Sequence, residues 1–169
     1  MDELIFHGYV APGMGKHNEL GIPGRLLISA TAPTDWPERL QPGSLNIRLF
    51  ADRIPREFSA HGLPPTVTSL DAGRFQPEFE IPQARIANNT IAPDRVRGPR
   101  GGDAQVWRAF LSDEGRALDI PQAWVLRRFG SQVGEQLELV SGSRLRDTPG
   151  IENDRVVAVR ILGRWQTSS

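Results

Sequence analysis

Proline and glycine punctuate this chain from end to end. Fourteen prolines and seventeen glycines are spread through 169 residues, so no apolar-patterned stretch runs far before one interrupts it. Proline breaks a helix interior by removing a donor and clashing with the preceding turn, and glycine weakens one through backbone entropy. Long helices are therefore excluded. What remains between the breaks is short and alternates apolar with polar residues, the period of a half-buried strand. Such stretches occupy 4–11, 24–30, 44–50, 79–87, 104–111, 121–129, 135–141 and 154–162. Eight strands with few helices predict a mainly β chain closed as a barrel or stacked as a sandwich. "SRLRDTPG" (143–150) predicts one short helical turn stopped by Pro149 and Gly150. Segments 51–77 and 88–103 read as long surface loops within a single domain spanning 1–169.

Composition removes several function classes. Lys plus Arg equals Asp plus Glu at twenty each, so no basic surplus exists to hold DNA or RNA, and nucleic acid is not an expected partner. There is no cysteine, hence no disulfide, thiolate metal site or cysteine nucleophile. No run approaches the ~18 apolar residues of a membrane span, and "MDELIFHGYV" lacks the pattern of a signal peptide; a cytoplasmic protein without membrane partners is expected. His7, His17 and His61 show no metal-ligand spacing. Trp107 and Trp124 alternate with apolar neighbours and read as core.

Three stretches carry possible chemistry. In "VAPGMGKHN", Gly13 and Gly15 follow a strand and free the backbone to present N–H groups to an anion, with Lys16 as a point charge beside them. The spacing is neither a P-loop nor the dinucleotide pattern, and alone it reads first as a plain turn. In "PGSLN", a strand begins by placing the Ser44 hydroxyl and the Asn46 amide on one face, opposite Leu45, Ile47 and Leu49. Two small oxygens so arranged suit a hard cation such as Mg²⁺, although a capping turn explains Ser44 as well. In "LELVSGSRLRD", Glu138 alternates with Leu137 and Leu139, and Ser143, Arg144 and Arg146 then open a turn whose donors suit phosphate or water.

The order of these stretches, with the closing "GIENDRVVAVRI", resembles the archaeal-type, CTP-dependent riboflavin kinases over residues 5–50 and 119–162. That family folds as a small six-stranded cradle-loop barrel. The resemblance implies a closed barrel with long loops and one or two short helices. It also implies a transferase moving a phosphoryl group from Mg²⁺-bound CTP to riboflavin or a related hydroxyl acceptor, with Mg²⁺ as cofactor. Gly13, Met14, Gly15 and Lys16 match the nucleotide-phosphate loop, and Ser143, Arg144, Leu145 and Arg146 match the second nucleotide segment. Ser44 and Asn46 match the metal ligands. Glu138 matches a flavin-contacting glutamate and is, with Lys16, the residue expected to take part in catalysis. The family's flavin-contacting threonine falls on Gly130, leaving the adjacent Ser131 as the substrate-side hydroxyl. His17 stands where the family has a third loop glycine. A non-catalytic module binding a nucleotide or another small ligand on the same barrel is the alternative, since fold does not fix function.

Overall fold

The computed structural model describes residues 1–12, 32–38, 40–41, 45–83, 102–129 and 134–167. Among these residues nine strands run in chain order: β1 (Asp2–Val10), β2 (Leu45–Leu49), β3 (Phe75–Gln76), β4 (Phe79–Ile81), β5 (Ala104–Asp113), β6 (Arg116–Ala117), β7 (Ala123–Arg128), β8 (Gln136–Ser141) and β9 (Val156–Trp165). Six of them close on themselves in the order β9-β1-β2-β8-β7-β5, the last seam being β5 against β9. Every neighbouring pair is antiparallel. The expected closed β-barrel is therefore present. Closure leaves no open edge among these six strands, the part of a sheet most exposed to stray pairing. Strands β3, β4 and β6 hang on the outside as short additions to β9 and β5.

Alternation decides which side chains fill the barrel. Leu4, Phe6 and Val10 from β1, Leu45 and Ile47 from β2, and Leu137 and Leu139 from β8 point inward and are fully buried. Val125, Trp107, Val159 and Ile161 complete the same core from β7, β5 and β9. A second apolar cluster lies outside the barrel wall, where Trp36 packs edge-on against Phe79 and Trp124, with both pairs of ring centroids 4.9 Å apart. Trp107 and Trp124 are thus both core residues, as their alternation predicts. Gly8 is required where β1 meets β2: a Cβ there would lie 2.2 Å from the Arg48 carbonyl oxygen.

Segment 51–77 departs from a surface loop. It has little regular structure beyond a one-turn helix, α1 (Glu57–Ala60), two 3₁₀ turns and β3. Yet Phe58, Val67, Leu70 and Phe75 from it are buried in the barrel core. Its prolines and glycines prevent long elements, while its apolar residues still require removal from water. Of 88–103 only the last two residues are described. Gly102 donates its N–H to the Phe129 carbonyl, fixing the start of β5. The strand expected at 24–30 lies outside the described residues, as does the second half of the one expected at 79–87; the first half is β4. The expected helical turn near 143–150 is a 3₁₀ turn over Leu145–Asp147. Among the described residues, no helix is long and apolar enough to cross a membrane.

Candidate functional site

Asn46 and Glu138 are brought together by strand pairing. They are 92 positions apart in the chain but stand directly opposite one another on β2 and β8, in register with Leu45 against Leu139 and Ile47 against Leu137. Because those leucines and isoleucine fill the barrel, Asn46 and Glu138 share its outward face, where facing Cβ atoms lie about 4.5–5.5 Å apart. On the other side of β8, Glu138 stands opposite Leu126 of β7.

Both side chains hold an oxygen that is sealed from solvent and unused. Asn46 Oδ1 and Glu138 Oε1 have almost no accessible surface and accept no hydrogen bond from any described residue. Burial pushes the Glu138 carboxyl up to about 7, because a charged carboxylate loses its hydration there. Each residue as a whole is only partly covered, so the pair lies on the barrel wall and not within the core.

Two further predicted segments meet at the same place. The Ala11 N–H donates to the Asn46 carbonyl at 2.9 Å, tying the chain just ahead of the 13–16 stretch to β2. Arg146 reaches the same spot from the 3₁₀ turn: its Nη2 donates to the Ala11 carbonyl and its Nη1 to Asn153 Oδ1 at 2.9 Å. Arg146 thus serves as a strut between two segments, with its guanidinium directed to protein acceptors. Leu145 turns its side chain into the core and offers only backbone outward. The Ser143 N–H already donates to Ser141 Oγ. Arg144 is exposed and, among the described residues, makes only a long 3.7 Å approach to Asp147. Gly13, Met14, Gly15, Lys16, Ser44 and Ser131 lie outside the described residues.

Among the described residues no group of three or more His, Cys, Asp or Glu is assembled as metal ligands. A cation at the β2–β8 face would instead draw on amide and single-carboxylate oxygens, a donor set suited to hard ions that retain waters or phosphate oxygens. A cavity of about 350 Å³ lies elsewhere, beside β3, β4 and β9, lined by residues including Gln76, Glu78, Arg108 and Arg164. Its Arg108 is already committed: it makes a two-pronged bridge to Asp35 at 2.5 and 2.8 Å and another to Glu78 at 3.0 Å. The hydrogen bonds from Arg108 hold the Asp35 carboxyl below its ordinary value. In that cavity Arg108 and Glu78 are paired with each other, whereas Asn46 and Glu138 each hold a buried oxygen without a partner among the described residues, and the chemistry favours the latter.

The facing of Asn46 and Glu138 was not readable from either residue's own surroundings in the chain, because pairing of β2 with β8 is non-local. The Arg146–Ala11 strut likewise has no local signal. No protein-family model matches this chain, and no curated protein matches it.

Proposed function

We propose that the protein is a phosphotransferase that moves the terminal phosphoryl group of Mg²⁺-bound CTP to a hydroxyl of riboflavin or a related acceptor. The observation that carries this reading is convergence. The chain leading into the 13–16 stretch, the Asn46 strand, the Glu138 strand and the 143–146 turn meet at one rim of the barrel through Ala11, Asn46 and Arg146. Donor-side and acceptor-side segments must be adjacent for transfer, since such catalysis is mainly positioning and charge neutralisation.

The buried, unpartnered Asn46 Oδ1 fits a place in the coordination shell of a hard cation. Ser44, two residues earlier on the sequence, is assigned the same task. Bound Mg²⁺ supplies neutralisation of the phosphate oxygens. Lys16 and the glycine stretch around it bind the triphosphate, with Ser143 and Arg144 contributing from the second segment and Arg146 holding that segment in place. Glu138, whose carboxyl titrates near neutrality, orients the acceptor hydroxyl and takes its proton as the new O–P bond forms and the bond from the γ-phosphorus to the β–γ bridging oxygen breaks. CDP leaves and a phosphate ester such as FMN is the product. Ser131 is assigned to the acceptor side.

The test is incubation of the purified chain with riboflavin, Mg²⁺ and each of the four ribonucleoside triphosphates in turn, with separation of FMN from riboflavin. FMN formed with CTP in preference to the others is expected. No FMN with any nucleotide defeats the reading. If CTP is nevertheless bound, the barrel is a binding module.

A further inference from the structure

The seam between β5 and β9 ends early. The two strands pair from Ser112 against Ala158 to Ala109 against Ile161 and then part. Beyond that point β5 is taken over by β4, and β9 by β3, with Gln76 against Arg164. The Pro77–Glu78 connection spans the split, and the Glu78 N–H donates to the Val106 carbonyl at 2.9 Å. The cavity of about 350 Å³ lies in this split, with Arg108 on the β5 bank and Leu162 and Arg164 on the β9 bank. Packing behind it is tight: a Cβ on Gly163 would lie 2.6 Å from the Phe75 ring and 2.7 Å from the Gln76 carbonyl oxygen, so the β3–β9 wall is preformed. In the ring of strands this seam is three steps from β2–β8, on the far side of the barrel, so the cavity is separate from the phosphotransfer site.

Two opposite charges at the cavity are left over once the ion pairs are counted. Asp35 takes both Nη groups of Arg108 and matches its charge. Glu78 is a second carboxylate on the same guanidinium: its Oε1 accepts at 3.0 Å, while its Oε2 accepts from no described residue. Among the described residues the exposed Arg164 guanidinium has no ion-pair or hydrogen-bond partner. Arg164 stands opposite Gln76, and Glu78 follows two residues later, a diagonal place about 7–8 Å away on a regular ladder. Leu162 and Pro77 supply apolar wall. A purely apolar guest leaves both charges unmet. A simple anion meets Arg164 but faces Glu78, and a simple cation does the reverse. We propose that this split binds a free α-amino acid with an apolar side chain. Its carboxylate pairs with Arg164, its ammonium donates to Glu78 Oε2, and its side chain lies on Leu162 and Pro77. The volume, at the small end of the range of about 300–1,000 Å³ for ligand cavities, suits a molecule of that size.

The experiment titrates the full-length chain calorimetrically with L-leucine, L-methionine and L-phenylalanine, and with the N-acetyl and amide derivatives of each. Saturable binding of at least one amino acid is expected. Its N-acetyl derivative, which lacks the ammonium, and its amide, which lacks the carboxylate, are each expected to bind at least about tenfold more weakly, the loss of one charged hydrogen bond. Arg164→Gln is expected to weaken binding of the parent amino acid by at least about tenfold and to leave that of the amide unchanged, because the amide has no carboxylate to lose. Glu78→Gln is expected to weaken the parent in the same way and to leave the N-acetyl derivative unchanged; Arg108 keeps its two bonds to Asp35 in that variant. Circular dichroism separates loss of ligand from loss of fold, and if Glu78→Gln does not fold, the Arg164→Gln comparison decides alone. No saturable binding of any of the three amino acids at millimolar concentration overturns the proposal. So does a derivative that binds as well as its parent, or equal affinity of Arg164→Gln and wild type for the parent.

Discussion

Two charged side chains on adjacent strands of the barrel wall lose solvent, and they are treated in opposite ways. Arg127, on β7, is 5% exposed and fully engaged. Its Nε and Nη2 donate to the two carboxylate oxygens of Asp71 at 2.8 and 2.9 Å, and its Nη1 donates to the Gln136 carbonyl at 3.3 Å. Glu138, on the neighbouring strand β8, has a sealed oxygen that accepts from no described residue. Both charges lose hydration, but only the first recovers it through protein partners. A paired buried charge fixes structure; segment 51–77, which carries Asp71, is pinned to the barrel wall by it. An unpaired one stores an unmet demand that a ligand can satisfy. Arg127 and Glu138 lie one register step apart, so the difference between them marks which face of β7 and β8 is architecture and which is the candidate site.

Breaking the pair has the largest expected effect. Asp71→Ala leaves the Arg127 guanidinium buried beside an empty position, and removing one partner of a buried ion pair typically costs about 3–5 kcal/mol. Urea unfolding of this variant is expected to show a loss in that range. A loss below about 1 kcal/mol would mean that Arg127 is held by its other contacts and that the contrast with Glu138 is weaker than drawn.

Glu138→Gln acts with the opposite sign. The folded-state value of about 7 lies above the ordinary 4.5, so between those pH values the folded protein holds a proton that the unfolded chain has released. Stability therefore falls as pH rises from 4.5 to 7 and stays reduced above that. The glutamine variant lacks this loss. In metal-free buffer it is expected to match wild type near pH 4 and to exceed it at pH 8 by at most about 3 kcal/mol. Melting temperatures across this range check it, and parallel pH profiles for the two chains would mean that Glu138 is hydrated or paired.

The smallest effect is expected at Arg48 and Glu135, whose 3.2 Å bridge lies close to the same face but in solvent. Exposed pairs contribute about 0–1 kcal/mol. Arg48→Ala is expected to change stability by less than about 1 kcal/mol and to leave FMN formation unchanged. A larger effect on either would extend the site along β2.

Much of the barrel was legible because its strands are self-announcing. Leu45, Ile47 and Leu49 alternate with Asn46 and Arg48, and that period alone separates inside from outside. The same reasoning placed Glu138 on the outward side of "EQLELVS". Segment 51–77 reads as surface because proline and glycine mask its apolar content. Phe58 and Leu70 carry no strand or helix period, since they enter the core from turns. The stacking of His61 on Trp165, rings 3.7 Å apart, is equally invisible to periodicity. The site was legible as residue types and not as geometry. Its three segments lie far apart in the chain, and only the pairing of β1 with β2 and of β2 with β8 makes them neighbours. Arg146 shows the limit most plainly: its residue type suggests a phosphate ligand, whereas its bonds make it a brace.

The seams of the barrel also set an order in time. β9 is the last strand in the chain, and it zips along β1, the first, from Asp2 against Gly163 to Tyr9 against Val156, while its other edge takes β5. Two of the six seams thus wait for the final strand, and β1 can satisfy only the short edge it shares with β2 until then. Chains dominated by such distant pairings fold slowly, because loop-closure entropy is spent before the contacts that offset it exist. During synthesis the barrel that carries the β2–β8 face cannot close before residues near 165 emerge. Ligand-binding competence and barrel closure should therefore appear together and late, as one cooperative event rather than as a site that forms first on a partly folded scaffold.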